Sequence, residues 1–353
     1  MTFQLTDLAD YGWNTFFTSQ LETDDFEHGL PVRVMAVHRG AIHVYGPGVD
    51  TTIPPFRSVP DDAETSATVG DWLIVNNETL RPRRLLQRRS LFKRRAAGTG
   101  RDVQLIAANV DTLLIVTSCN QDFNIARLER YLALASEAEV MPVIVLTKTD
   151  LCDDPKVFAD QAYTLPSVHI VETVNALDPT EVGRLVPWCA NDQTVALMGS
   201  SGVGKSTMIN TLMGHADIAT QDIREDDAKG RHTTTGRALH RMPSGGWLID
   251  TPGMREMQLT DVASGLDEVF SDIVEYAQSC RYSTCQHGSE PGCAVTAAVE
   301  AAVLDTERLK RWRKLVAEET YNNESLVERR SRDKAFGKMV KRAMKDKKDF
   351  SGL

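Results

Sequence analysis

The chain lacks any apolar run approaching the ~18 residues that cross a bilayer. Its opening, Met1-Thr2-Phe3-Gln4-Leu5, lacks the basic region followed by an apolar stretch that marks a secretory leader. Both absences lead to the expectation of a soluble, cytoplasmic protein with no membrane partner. Positive charge is also short: 40 Lys and Arg against 49 Asp and Glu give a net charge of −9, which sets aside a uniformly basic nucleic-acid binder. Cysteine is scarce. Of six, Cys119, Cys152 and Cys189 are scattered, whereas Cys280, Cys285 and Cys293 crowd together with His287, a metal pattern and not a disulfide framework. With 353 residues there is room for two or three domains.

The basic residues that are present are concentrated. From Arg81 to Arg101 there are nine Lys/Arg and no acid, and from Glu328 to Asp349 ten against four. Such asymmetry reads either as basic patches on an acidic body or as two solvated charged faces. On the first reading Arg88, Arg89, Arg94 and Arg95 are candidate RNA contacts.

The most informative stretch is Gly199-Ser200-Ser201-Gly202-Val203-Gly204-Lys205-Ser206, set between the strand-like Thr194 to Met198 and the helical Thr207 to Met213. Its G-x-x-x-x-G-K-[ST] spacing is that of a phosphate-binding loop. Glycines allow the backbone N–H groups to converge on an anion, the helix adds its positive end, Lys205 reaches the β/γ-phosphates and the Ser206 hydroxyl can ligate Mg²⁺.

In chain order, residues 1–30 are polar and acidic and read as a flexible arm. Residues 31–90 hold short strands at Val32 to Val37, Ala41 to Tyr45 and Asp71 to Val75, separated by turns such as Gly46-Pro47-Gly48. An OB-type barrel is expected, with an SH3-like barrel or a purely structural β-domain as alternatives. From Gln104 the texture becomes βα alternation: a continuous apolar strand from Leu105 to Thr117, a helix from Ala126 to Ala138 and a buried strand from Val143 to Leu146. A parallel sheet covered by helices follows. Directly after it stands Thr147-Lys148-Thr149-Asp150, at the edge where open α/β sheets bind ligands. A carboxylate there can accept both N1–H and the 2-amino group of guanine, so Asp150 is the expected specificity residue, flanked by the Lys148 stem. His169 to Val171 is a further short strand, ending near Asn175 and Ala176, where a backbone N–H, Ala176 by preference, can meet guanine O6.

Beyond the phosphate loop, Trp247 to Asp250 is a strand ending in Asp250-Thr251-Pro252-Gly253. This is a D-x-x-G in which Asp250 holds Mg²⁺ through water and Gly253 senses the γ-phosphate. The polar loop before it contains Gly230-Arg231-His232-Thr233-Thr234-Thr235, and Thr234 can complete the Mg²⁺ shell. The later Cys-x4-Cys-x-His-x5-Cys spacing of Cys280, Cys285, His287 and Cys293 fills a tetrahedral Zn²⁺ shell with no open position, so that metal is expected to be structural. Leu304 to Leu315 and Tyr321 to Met344 read as helices, the second increasingly basic.

The order of parts is unusual, because the base-reading Asp150 precedes the phosphate loop, so the chain is circularly permuted. Together with Ala107-Ala108-Asn109-Val110-Asp111, the Gly230 to Thr235 run, and Cys280 to His287 followed by Glu290-Pro291-Gly292-Cys293-Ala294-Val295, it resembles the circularly permuted, ribosome small-subunit-dependent GTPases of bacteria. The resemblance covers roughly Pro31 to Leu326. It implies a multidomain α/β protein: an OB-type β-barrel (31–90), a circularly permuted P-loop GTPase domain (103–258), a helical zinc-binding domain (264–326) and a basic C-terminal helix or tail (327–353). It further implies GTP/GDP with Mg²⁺, one structural Zn²⁺, the 30S subunit with its 16S rRNA as partner, and a monomer acting in late 30S maturation. The guanine-nucleotide site then comprises Thr147, Lys148, Thr149, Asp150, Asn175, Ala176, the loop from Gly199 to Ser206, Thr207 and Gly253.

Three departures qualify the resemblance. Thr147 stands where such GTPases often have Asn, Asn175 where Ser is common, and Met254 where Ras-like enzymes place the Gln that orients water. His232 is therefore the candidate water-positioning residue, unless it contacts rRNA or the ribosome supplies that group in trans. Because the D-x-x-G runs almost directly into the zinc segment, loss of γ-phosphate is expected to reposition the zinc domain relative to the barrel. The rivals are a permuted GTPase of large-subunit assembly, and an rRNA-binding scaffold whose bound nucleotide is mainly structural.

Overall fold

The computed structural model describes residues 3–38, 40–60, 62–95, 103–190, 192–214, 237–250, 257, 259 and 261–323. Three short helices, α1 (Leu5–Ala9), α2 (Thr15–Thr18) and α3 (Thr23–His28), precede the first strand. They are not the loose arm expected of residues 1–30. Leu8, Trp13 and Phe17 are buried against Trp72, Ile74 and Leu86, and Trp13 meets Trp72 edge to face at 4.7 Å, a geometry worth about 0.5–1.5 kcal/mol beyond its area. Their irregular spacing over three separate turns leaves no helical period to read.

The first five strands are β1 (Gly29–His38), β2 (Ala41–Gly46), β3 (Val49–Ile53), β4 (Trp72–Asn76) and β5 (Pro82–Leu85). They pair antiparallel in the order β3-β2-β1-β4-β5. Leu30, Val32, Val34, Ile42, Val44, Leu73 and Val75 form their core, as alternation along each strand dictates. Among the described residues no ladder joins β3 to β5, so the closure of an OB-type barrel is not seen there.

β6 (Leu91–Arg95) and β7 (Val103–Ala108) make a separate antiparallel pair. The apolar run expected as one strand from Leu105 to Thr117 is therefore two, since β8 spans Thr112–Ser118. Asn109 breaks it in the left-handed region with φ 55°, a conformation Asn tolerates. Its amide donates to Gly70 O at 3.0 Å and its side-chain oxygen accepts from Arg89 N at 2.9 Å.

From β8 the chain alternates through α4 (Ile125–Glu137), β9 (Met141–Thr147), α5 (Pro155–Tyr163), β10 (Val171–Thr173), α6 (Pro179–Val182), α7 (Val186–Cys189), β11 (Thr194–Met198) and α8 (Lys205–Met213). β12 (Arg237–Arg241) and β13 (Trp247–Asp250) complete the sheet. Strands β10-β9-β8-β11-β13 are parallel. β12 runs antiparallel to β13 and to β1, with Ala36 opposite Ala238, so among the described residues the two sheets fuse into one of eleven strands. Where they fuse, the buried Arg33 of β1 donates to Tyr11 O and, at 2.6 Å, to Thr194 Oγ1 at the start of β11.

The C-terminal helices are α9 (Ala263–Val269), α10 (Ser271–Ala277), α11 (Ala294–Glu300) and α12 (Thr306–Asn323). One apolar cluster runs without a gap from Ile115 and Ile144 of the sheet, through Leu132 of α4, to Phe270, Val295 and Leu309. Glu129 of α4, fully buried, accepts from Arg308 at 3.0 Å and from Arg311 at 2.7 Å, and Arg308 also reaches Asp272 at 2.7 Å. The expected repositioning of the zinc segment relative to the barrel has to carry α4 along, because α9, α10 and α12 are fastened to α4 and moving them separately strands a buried carboxylate. α12 crosses the Leu315 to Tyr321 gap between the two expected helices, and positions 327–353 lie outside the described residues. Among the described residues, no helix is long and apolar enough to cross a membrane.

Candidate nucleotide site and metal centre

Five parallel strands end on one edge, in register. Ser118 of β8 lies opposite Thr147 of β9, Leu146 opposite Thr173 of β10, Met198 of β11 opposite Ile115 of β8, and Ala196 opposite Ile249 of β13. This edge gathers the Thr147–Asp150 tetrapeptide, the Asn175–Ala176 turn, the phosphate loop and the backbone of Asp250, although they lie far apart in sequence.

The phosphate loop leaves β11 at Gly199. A Cβ there would lie 2.2 Å from Val116 O, so only glycine lets the loop pass β8. Gly204 turns into α8 with φ 91°, in the left-handed region. Lys205 is buried, and its Nζ donates to Gly199 O at 2.7 Å and to Ser200 O. The ammonium thus sits over the loop's own carbonyls at the positive end of α8, a place suited to an anion.

Thr147, which stands where Asn is common, braces the phosphate loop. Its fully buried hydroxyl lies 2.6 Å from Val203 O in the phosphate loop and 3.1 Å from Thr117 O of β8. A single hydroxyl proton serves one acceptor at a time, and the shorter contact ties the end of β9 to the phosphate loop. Lys148 follows with φ 57°, and a 3-10 turn over Thr149–Leu151 holds Asp150 exposed beside a cavity of about 350 Å³. Thr173, Asn175, Glu181 and Arg184 line its other side.

The Asn175–Ala176 turn is held from several directions. Asn175 N donates to Glu181 Oε2 at 2.7 Å, Leu177 N to Asn175 Oδ1 at 3.0 Å and Asp178 N to Asn175 O at 3.0 Å. Thr211 of α8 donates its hydroxyl to Ala176 O at 2.8 Å. Ala176 is 6% exposed, yet its own N–H takes part in no hydrogen bond among the described residues. Thr211 and Glu181 escape sequence reasoning because neither lies in a phosphate or base motif. The side chain of Asp250, and all of His232, Thr234 and Gly253, lie outside the described residues.

The metal centre assembles as its spacing predicts. The ligand atoms of Cys280, Cys285, His287 and Cys293 lie within 4.8 Å of one another. Cys280 Sγ is 3.9 Å from Cys293 Sγ, and His287 Nδ1 is 3.5 and 3.6 Å from the two sulfurs. Tetrahedral Zn²⁺ with Zn–S bonds of about 2.3 Å has edges of roughly 3.8 Å, so the donor set fits that ion, held through Nδ1. Burial raises the Cys293 thiol, but hydrogen bonds from the Thr296 hydroxyl and N–H, 3.3 and 3.4 Å from its sulfur, together with those of His287 and Cys285, bring it down to about 6. Cys285 is pushed up to about 11, first by burial. Trp312 of α12 packs on His287 with ring centroids 5.4 Å apart.

The basic run is largely spoken for. Arg88 is not a surface RNA contact: it grips fully buried Asp71 with two bonds of 2.8 Å and donates to Glu64 O and Ser66 O. Arg89 pairs with Asp111 at 2.8 Å, Lys93 with Glu64 at 2.8 Å, and Arg83 and Arg84 with Asp24 and Asp25. Arg94 donates to Gln104 at 2.9 Å, and the side chain of Arg95 lies outside the described residues. The acids that neutralise this run come from distant segments, which a local charge count cannot reveal.

Three outcomes follow from these contacts. Thr147→Val, leaving Val203 O unmatched, is expected to weaken GTP binding by about 1–3 kcal/mol, on the order of tenfold in titration calorimetry. Arg88→Ala should lower the denaturation free energy by about 3–5 kcal/mol, read from the urea midpoint, because it abandons buried Asp71. Elemental analysis of protein purified without chelator should find about one Zn²⁺ per chain, and chelation should unfold the helices around the cluster and alter Trp312 fluorescence.

Residues 85–260 match the family described as RsgA GTPase. The chain is 48% identical over 341 residues to the small ribosomal subunit biogenesis GTPase RsgA 2 of Vibrio parahaemolyticus, covering 97% of this chain and 94% of that protein. It is 50% identical over 319 residues to small ribosomal subunit biogenesis GTPase RsgA of Mesorhizobium japonicum, covering 89% and 90%. Among solved structures, YjeQ from Thermotoga maritima matches with a TM-score of 0.58 and 22% identity over 82% of this chain and 98% of that one. YloQ, described as a circularly permuted GTPase, matches at 0.56 and 23% over 86% and 99%. The structural likeness speaks for the fold, and the order of β9 before β11 agrees with permutation. With nearly half its residues identical to those relatives over almost its whole length, the chain belongs to the RsgA GTPase family.

Proposed function

We propose that this GTPase binds the small ribosomal subunit and its 16S rRNA late in subunit maturation, hydrolyses GTP in response to that contact, and then dissociates as a monomer. The observation that carries the reading is the single sheet edge that unites Thr147–Asp150, Asn175–Ala176 and Gly199–Thr207 in a chain similar to small ribosomal subunit biogenesis GTPases. Asp150 accepts the two guanine donors, the unclaimed Ala176 N–H meets O6, and Lys205 leaves its carbonyls for the β/γ-phosphates. Ser206 with Thr234 and Asp250 would hold Mg²⁺, and Gly253 would sense the γ-phosphate. Residues 31–90 as an OB-type barrel, 103–258 as the GTPase domain, 264–326 as a zinc-stabilised domain and 327–353 as a basic tail complete the proposal, with cytoplasmic residence.

The fastening of α9, α10 and α12 to α4 bears on how hydrolysis is signalled. A change that begins at Asp250 is passed to the ribosome by the body as a whole and not by a hinged zinc unit, since the core between them is continuous. Of the basic run, Arg89 and Arg94 keep partial exposure and remain the RNA contacts we propose there, with Arg95 beside them in β6.

Hydrolysis measured with purified 30S and 50S subunits tests enzyme and partner together: stimulation by 30S alone is expected, and none by either would favour the scaffold. In that assay His232→Ala should keep GTP and 30S affinity but lose on the order of 10²-fold in stimulated turnover; unaffected turnover moves the water-positioning role to the ribosome. Asp150→Asn should relax the preference for GTP over ATP, because a neutral amide cannot accept from both guanine donors. An unchanged preference would remove Asp150 from the base pocket.

A further inference from the structure

We propose that Glu181 is a positioning residue for nucleotide recognition: its carboxylate sets the turn that presents the Ala176 N–H to the six-position oxygen of guanine. This rests on the reading of Thr147–Asp150 and Asn175–Ala176 as the base pocket.

The argument is an accounting of donors. Across residues 174–178 the N–H of Val174 goes to Leu146 O, that of Asn175 to Glu181 Oε2, that of Leu177 to Asn175 Oδ1 and that of Asp178 to Asn175 O. Only the Ala176 N–H is left over among the described hydrogen bonds, and its residue is buried. Buried backbone donors are nearly always paired, so this donor is available to an acceptor that a ligand brings.

The direction of that donor is fixed by its own peptide. The plane carrying the Ala176 N–H also carries the Asn175 carbonyl, which accepts from Asp178 N at 3.0 Å. In a trans peptide the two groups point in opposite directions, so the N–H is turned away from α6. Glu181 holds the other side of Asn175 with a 2.7 Å charge-assisted bond, about twice as strong as a neutral one. Arg184 donates to Thr173 O at 3.3 Å, steadying the strand end before the turn.

Glu181 does something other than cap its helix. Asp178 is the N-cap of α6, accepting from Thr180 N at 2.8 Å, and Glu181 stands three residues on. A capping box would return that carboxylate to the N–H of Asp178. Here it reaches three residues further upstream, into the base-reading turn.

The test uses the full chain and two nucleotide probes in titration calorimetry. In 6-thioguanosine diphosphate the six-oxygen becomes a weakly accepting sulfur, while N1–H and the 2-amino group remain for Asp150. Inosine diphosphate instead lacks only the 2-amino group. The unaltered chain should bind GDP about tenfold more tightly than the thio analogue, the worth of one hydrogen bond. Glu181→Met should shrink that ratio toward one while leaving the GDP-to-IDP ratio intact. Glu181→Gln, whose amide oxygen still accepts from Asn175 N, should restore most of it. Asp178→Ala, which weakens the α6 cap without touching the Asn175 N–H, should leave both ratios alone. Thermal midpoints verify that each variant is folded.

Equal weakening of GDP and thio-GDP by Glu181→Met, no change at all, or a collapse matched by Asp178→Ala would each overturn the role of Glu181 and leave the pocket standing. An unaltered chain indifferent to both substitutions in the base would overturn the base pocket itself, and this inference with it.

Discussion

A single buried guanidinium holds the junction on which the site depends. Arg33 lies between the rings of Trp72 and Trp247, 5.9 and 5.7 Å from their centroids, and donates to Tyr11 O and Thr194 Oγ1. It thereby joins the N-terminal helices, β1 and the first residue of the phosphate-loop strand. Burial pulls it down to about 10, still well above neutral pH, so the charge persists where three segments meet. Thr194 is pinned a second time, because Asp111 Oδ2 accepts from its N–H at 2.8 Å while Asp111 Oδ1 holds Arg89. With one end of β11 fixed in this way, the loop at its other end has a defined origin.

From that origin the nucleotide edge is braced by hydroxyls. Thr147 links the end of β9 to Val203 of the phosphate loop, and Thr211 links α8 to the Ala176 carbonyl. Both halves of the site therefore refer to one another directly as well as through the sheet. The Thr147 bond is fully buried, where a low-dielectric surrounding makes it stronger than in water, and the Thr211 bond is partly so. The substitution of Thr for Asn at 147 shortens the reach of the side chain but not the connection, because β9 brings the hydroxyl within 2.6 Å of its acceptor.

The metal centre serves the same economy of fixed bodies. Trp312 rests on His287, and the same helix places Arg308 and Arg311 on Glu129 of α4. A carboxylate buried beneath two arginines is weak evidence for stability and good evidence for a specified geometry, because its partners cannot be exchanged without leaving a charge unpaired. The Cys/His cluster, α12 and the parallel sheet are in this sense one construction.

Sequence alone determined the parts whose physics is local. The phosphate loop, Asp150, the Cys and His spacing and the apolar texture of β8, β9 and β11 each carry their chemistry in a few adjacent residues, and the order of Asp150 before Gly199 revealed the permutation. What tertiary structure decided is what depends on pairing across distance. Asn109 splits an apolar run because Gly70 and Arg89 claim its side chain. Arg88 leaves the surface because Asp71 awaits it in the core. Leu8, Trp13 and Phe17 make a packed cap because Trp72 and Ile74 offer them a face. Glu181 is tied to the Asn175–Ala176 turn because α6 aims it at Asn175 N. A charge, an amide or an aromatic ring is read from sequence only as a capacity; which partner satisfies it is settled by the fold, since burial makes an unmatched group costly.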